Sequence, residues 1–216
     1  MMLPFTTAQF FEVFGAYNNA IWPAQIVVYI VALPGVALLF MPGPATDRIV
    51  PGILASMWGL AGIVYHWIYF APINAAALIF GFAFLMQSAI FVVSGTVRRE
   101  MHFAWTGTPR CALGLVLIVY SAAVYPLAGL ALGHVYPALP LFGVAPCPIL
   151  FFTFGCLLML QSPVAWWVMV VPLLWSIIGG SAAVLLDVPQ DLMLPVSGLL
   201  TVGMLAGTQP RLLRWH

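Results

Sequence analysis

Apolar stretches of around 20 residues alternate along this chain with short connections that hold nearly all of its charged and turn-forming positions. A stretch of that length is what an α-helix needs to cross roughly 30 Å of hydrocarbon. The pattern predicts seven spans, at about 20–41, 51–70, 73–95, 111–133, 148–161, 164–186 and 191–207, bounded by charges, by proline-rich turns or by both. The fifth, about 14 residues, is too short to cross unaided, so span 148–161 either crosses with help or is re-entrant. Ahead of the first span, Thr6 and Gln9 have capping-box spacing, and Phe10, Val13, Phe14 and Tyr17 recur at helical intervals. Residues 6–17 therefore read as a helix lying at the membrane interface. The expected organisation is an interfacial amphipathic helix in residues 1–18, a single seven-helix transmembrane domain over 19–210 and a short tail, 211–216.

Composition strengthens this reading. Hydrophobic residues make up 64% of the chain and charged residues 5%, against about 25% charged in a soluble domain. The expected fold is an all-α membrane bundle with the lipid bilayer as its surroundings. Lysine is absent and the net charge is +1, which removes the basic patch that nucleic acid binding needs. The stretch from Met1 to Phe14 carries Glu12 and no basic residue, so a cleavable secretory signal is not expected. Cys111, Cys147 and Cys156 have no CxxC or Cys/His ligand spacing and read as small buried hydrophobes.

The arginines set the orientation. Arg48 lies between spans one and two, Arg98, Arg99 and Arg110 between three and four, and Arg211 and Arg214 after the last. Positive residues favour the cytoplasmic side, so an even number of spans must separate these groups. Seven spans meet that condition with the N-terminus out and the C-terminus in; removing the fifth would place Arg211 and Arg214 outside. Trp22 and Trp67 then fall near outer ends, and Trp166, Trp167 and Trp215 near inner ones, as interfacial belts. No internal repeat is evident, so the inverted-repeat signature of many secondary transporters is missing. Ala55 with Gly59, and Gly179 with Ala183, have the four-residue spacing of close helix packing.

With that orientation the uncommon polar side chains gather outside: Asn18, Asn19, Gln25, His66, Asn74, His134, Tyr136, Asp187, Gln190 and Asp191. His66 lies about one turn inside the outer end of its span, with Tyr69 and Phe70 as helical neighbours. It is either a neutral, hydrogen-bonded histidine or a ligand, proton or metal group. His134 is either an interfacial loop residue or a partner for His66. The loop 134–148, uncharged apart from that histidine and bearing four prolines, is a structured cap or the wall of a pocket. Cys147 is inert or a soft-metal or redox thiol, so His66, His134 and Cys147 form the candidate metal set. Asp187 and Asp191 resemble an acid–base pair, but Asp187 and Gln190 have capping-box spacing and Asp191 stands in the first turn of the last span. Asn74 reads as a helix cap. Gln87, near mid-bilayer, needs a partner such as Tyr120, Ser121 or Ser176, or contacts a substrate. Pro126, Pro172 and Pro195 supply kinks within spans. Gly-rich phosphate loops, HExxH, GxSxG and paired mid-span histidines for haem are all absent, so no cofactor is indicated.

Five segments together resemble a family of bacterial polytopic membrane proteins known only as a domain of unknown function. They are Ile21-Trp22-Pro23-Ala24-Gln25; Tyr65 to Asn74; Gly133-His134-Val135-Tyr136-Pro137; Cys147-Pro148 with Phe152-Thr153-Phe154-Gly155; and Ile178-Gly179-Gly180-Ser181-Ala182-Ala183. The resemblance covers nearly the whole chain. It implies a multi-pass protein of the bacterial inner membrane, sometimes labelled permease, and carries no established active residues.

The polar residues lead first to small-molecule or ion binding and transport through an outward-facing polar cavity near His66, Tyr69, Asn74, Gln87, His134, Tyr136, Asp187 and Asp191. An accessory subunit that packs against membrane protein partners is the second reading. A metal-dependent or redox membrane enzyme using His66, His134, Asp187, Asp191 or Cys147 is the third.

Overall fold

The computed structural model describes residues 4–163 and 165–208, and every structural statement concerns these. The chain is helical: α1 (Thr7–Ala20), α2 (Ala24–Leu38), α3 (Thr46–Phe70), α4 (Ala77–Val97), α5 (Pro109–Ala131), α6 (Pro146–Leu158) and α7 (Trp167–Leu186). A 3₁₀ turn, Pro189–Leu192, then leads into α8, Met193–Thr208. Five helical segments are long and apolar enough to cross a membrane: α3, α4, α5, α7 and Pro189–Gly207. α1 and α2 reach that length only as a pair, and they meet at 80°.

α1 begins where its capping box predicts. The Gln9 amide N–H donates to the Thr6 hydroxyl at 3.2 Å and the Thr6 N–H to Gln9 Oε1 at 2.9 Å, closing two of the free donors of the first turn. The seven apolar stretches correspond in order to α2 through α8. The first is shortened because the chain breaks at Trp22 and Pro23, and the third because Asn74 precedes its helix.

α6 explains the shortest stretch. It has 13 residues, about 20 Å of helix at 1.5 Å per residue, and 12 of the 13 are buried. It is apolar on every face, as a fully enclosed helix is. α3, α5, α7 and α8 pack around it, so it is surrounded by protein along its length. Its approach to α5 is at backbone distance. A Cβ on Gly114 would lie 2.7 Å from the Gly155 carbonyl oxygen, and one on Gly155 would lie 2.6 Å from that of Gly114. Gly62 on α3 and Gly81 on α4 make a second such crossing. Small residues at crossings are how apolar helices associate closely.

The connections sort to two ends. At the α1 end, the Asn18 amide donates to the carbonyls of Pro137 and Leu139 at 2.7 and 2.8 Å, and the Tyr17 hydroxyl to that of Val144 at 3.0 Å. The proline-rich loop is thus a structured cap on α1. At the opposite end, the Trp105 N–H reaches the Leu39 carbonyl and the Gln161 N–H the His102 carbonyl, both at 2.7 Å. Asp47 Oδ1 accepts from the Phe103 N–H at 2.9 Å, Oδ2 lies 2.7 Å from His102 Nδ1, and Arg110 donates to the Leu160 carbonyl at 2.8 Å. Arg48, Arg98, Arg99 and Arg110 belong to this second end; Arg211, Arg214 and Trp215 lie outside the described residues. Trp166 and Trp167 are exposed at the second end, Trp22 and Trp67 at the first.

Gln87 is buried and differs from expectation in its partner. Its amide donates to the Val168 carbonyl at 3.1 Å, whereas Tyr120, Ser121 and Ser176 bond to the carbonyls of Gln190, Pro148 and Leu173. A backbone carbonyl near the start of α7 supplies what a side chain was expected to supply.

Candidate functional site at the end of α3

Beneath α1 lies a cavity of ≈ 320 Å³, within the range of small-molecule sites. Aromatic residues form much of its wall, including Phe10, Phe14, Tyr65, Phe70, Phe80 and Trp175. α1 contributes Phe10 and Phe14 because its helical repeat turns them toward α3. The Phe14 and Tyr65 rings stack at 4.9 Å, and Phe5 meets Phe70 edge to face at 5.2 Å. The mouth is edged by Ile177, Ile178 and Leu185 of α7, all exposed on the outside of the bundle.

The inner part of the site is polar. From Ala61 to Phe70, α3 is wound as a π-helix, an irregularity that recurs at functional positions, and it carries Tyr65 and His66 into the interior. His66 is fully buried. Its ring lies 4.6 Å from that of Phe84, 5.0 Å from that of Trp175 and 5.9 Å from that of Phe80, edge to face in each case. From α6 comes Cys147. A Cβ on Gly179 would lie 3.7 Å from Cys147 Sγ and 3.8 Å from Trp175 Nε1, so the absent side chain leaves room where these two groups face each other. Asp191 is 5% exposed, lines the cavity, and sits against Tyr125 and Cys147.

Both ring nitrogens of His66 and the Gln190 side-chain amide have no hydrogen-bond partner. The Tyr125 hydroxyl, Asp191 Oδ1 and Trp175 Nε1 form no close hydrogen bond but are linked as polar neighbours, Tyr125 and Cys147 to Asp191 and Trp175 to Cys147. Buried polar groups are nearly always paired, and an unpaired one costs about 1–3 kcal/mol. Two of these groups, Trp175 Nε1 and the Asp191 carboxyl, lie on the cavity wall itself, where a ligand can reach them. No ion pair among the described residues neutralises Asp191.

Of the residues singled out in the sequence, Cys147 and Asp191 come together on this wall, and His66 packs behind it against Phe80 and Trp175. Asn74 lies on the cavity wall, its Oδ1 accepting from the Ala76 N–H at 3.2 Å. Tyr69 packs on Tyr17 at 5.8 Å, Tyr136 on Trp22 at 6.4 Å, and His134 stacks on Phe11 at 4.1 Å. Tyr69 and His134 thus pack on α1, and Tyr136 on the turn that follows it. Gln87 is tied to Val168.

The Asp187–Asp191 pair does not form. Asp187 is exposed and ends α7 in the left-handed conformation, φ 55° and ψ 54°, with the Val188 N–H donating to the Ala183 carbonyl at 2.9 Å. It closes one helix instead of capping the next, and that turn aims Asp191 inward. No three His, Cys, Asp or Glu side chains gather as a metal-holding group among the described residues, so His66, His134 and Cys147 make no joint site. The expected polar cavity is also changed: the space is lined mainly by apolar groups, with its polar atoms confined to the inner wall.

Trp175 and Tyr125 are the residues that sequence reasoning passed over. Trp175 is the tryptophan of α7 set apart from both ends, and that position within an apolar span is the signal that would have found it.

No curated protein and no solved structure matches the chain. A family model does match residues 7–212, nearly the whole length, and the chain belongs to that family, a family of unknown function designated DUF6064.

Proposed function

We propose that this chain is an integral membrane protein of seven crossings, α1 on the outer face and the C-terminus inside, that binds a small molecule taken from the bilayer. The observation that carries the binding role is the cavity beneath α1 with the buried Asp191 carboxyl group and Trp175 Nε1 on its inner wall. Large apolar side chains exposed on the outside, such as Ile79, Val184 and Leu199 at 72, 71 and 73%, favour hydrocarbon surroundings over water. The described arginines at the end opposite α1 favour that end as cytoplasmic. Connections that alternate between the two ends favour seven crossings, with α6 as an enclosed one. The mouth edged by Ile177, Ile178 and Leu185 favours lateral entry from the membrane over entry from water.

The test is mass spectrometry of organic extracts from protein purified out of native membranes, beside an Ala182→Phe variant that fills the cavity from α7. Near-stoichiometric recovery of one small molecule from the unmutated protein, lost in the variant, is the expected result. Equal extracts from both would refute the binding role.

A further inference from the structure

The chemistry of the wall narrows the ligand. Asp191 is the single formally charged side chain among the described residues lining the cavity; its Oδ1 forms no close hydrogen bond, and the neutral Tyr125 and Cys147 side chains are its polar neighbours. A carboxyl group removed from water either keeps its proton or takes a compensating charge, and the described wall offers neither arginine nor histidine for the second. The surrounding Phe10, Phe14, Tyr65, Phe70 and Trp175 rings are of the kind that receive organic cations. An anion would meet repulsion from the ionised carboxyl group and a neutral molecule would draw nothing from its charge, whereas a cation holds Asp191 in its charged form. A bare metal ion is disfavoured, because aromatic and aliphatic carbon dominates this wall and no three His, Cys, Asp or Glu side chains among the described residues gather to hold one.

Resting on the reading of the cavity as a ligand site, we propose that its occupant is a lipophilic organic cation, with the charged nitrogen against Asp191 and the apolar body among Phe10, Phe14 and Phe70. Such a molecule satisfies the carboxylate, gains from the ring faces and enters through the apolar mouth.

The experiment is equilibrium dialysis of the full chain in lipid nanodiscs against radiolabelled phenyltrimethylammonium and tert-butylbenzene, which differ in nitrogen cation against carbon. The Ala182→Phe variant supplies the background of probe dissolved in lipid. The cation is expected to bind saturably and about tenfold more tightly than its neutral isostere, as a charge-assisted contact allows. Asp191→Asn is expected to weaken the cation about tenfold and to leave the isostere unchanged, with Asp191→Glu restoring the preference. Equal saturable binding of both probes, or cation binding indifferent to Asp191→Asn, would overturn the cation while leaving the cavity as a site. Binding of neither probe would overturn both. The comparison of probes on the unmutated protein decides the charge preference even where Asp191→Asn fails to fold.

Discussion

His66 and Trp175 meet edge to face, ring centroids 5.0 Å apart and planes at 79°, with Phe84 closing on the imidazole at 4.6 Å. Aromatic carbon therefore surrounds a ring whose two nitrogens have no partner. Such an arrangement lowers stability, and proteins retain arrangements of that kind where function needs them.

Replacing His66 by phenylalanine keeps the aromatic packing and removes both unpaired nitrogens. His66→Phe is expected to stabilise the fold by about 1 kcal/mol, whereas His66→Ala, which opens a hole, is expected to cost about 2–4 kcal/mol. Thermal unfolding in detergent measures both. A loss of stability in the phenylalanine variant would mean that the imidazole nitrogens are satisfied in the native membrane.

Asp187 adopts a conformation that glycine reaches without strain. Asp187→Gly is expected to change stability by less than about 1 kcal/mol and to leave cavity binding intact, while Asp187→Val costs more than about 1 kcal/mol. Unfolding and ligand extraction on the same preparations separate the cap from the site.

Gly155 and Gly114 leave no room for a methyl group between α5 and α6. Gly155→Ala is expected to destabilise by about 1–3 kcal/mol through overpacking. Gly203→Ala, where nothing lies within 4 Å of an added Cβ, is expected to gain up to about 1 kcal/mol from helix propensity. The sign of the difference between the two, read in one denaturation series, checks the crossing.

Asn18 holds two carbonyls of the proline-rich loop. Asn18→Leu leaves both without this donor, with an expected loss of about 1–3 kcal/mol. Faster hydrogen exchange across 137–145 is the specific readout, and exchange unchanged there would show the loop to be held by other contacts.

Orientation is accessible to labelling. In a cysteine-free background, Glu12→Cys on α1 is expected to react with a membrane-impermeant maleimide in intact cells, and Glu100→Cys only after permeabilisation. Both positions are exposed. The reverse pattern would invert the topology.

The sequence alone located the seven apolar helices, the capping box of α1 and the sorting of the described arginines to one end, because each rests on local physics. A helix in hydrocarbon satisfies its own backbone, so length and apolar composition suffice to reveal it. His66, Cys147 and Asp191 were also legible as unusual polar residues in apolar surroundings. That Cys147 and Asp191 meet, with His66 packed behind the same wall, was not legible, since α6, α7 and the Ala61–Phe70 stretch of α3 are nearly apolar on every face, so periodicity gives them no rotational setting, and a four-residue 3₁₀ turn is too short to show one. Tertiary structure decided that α6 is enclosed, because Gly114 and Gly155 let two backbones touch. It decided as well that Asp191 turns inward while Asp187 stays outside, because a left-handed residue at the end of α7 reverses the chain just before it.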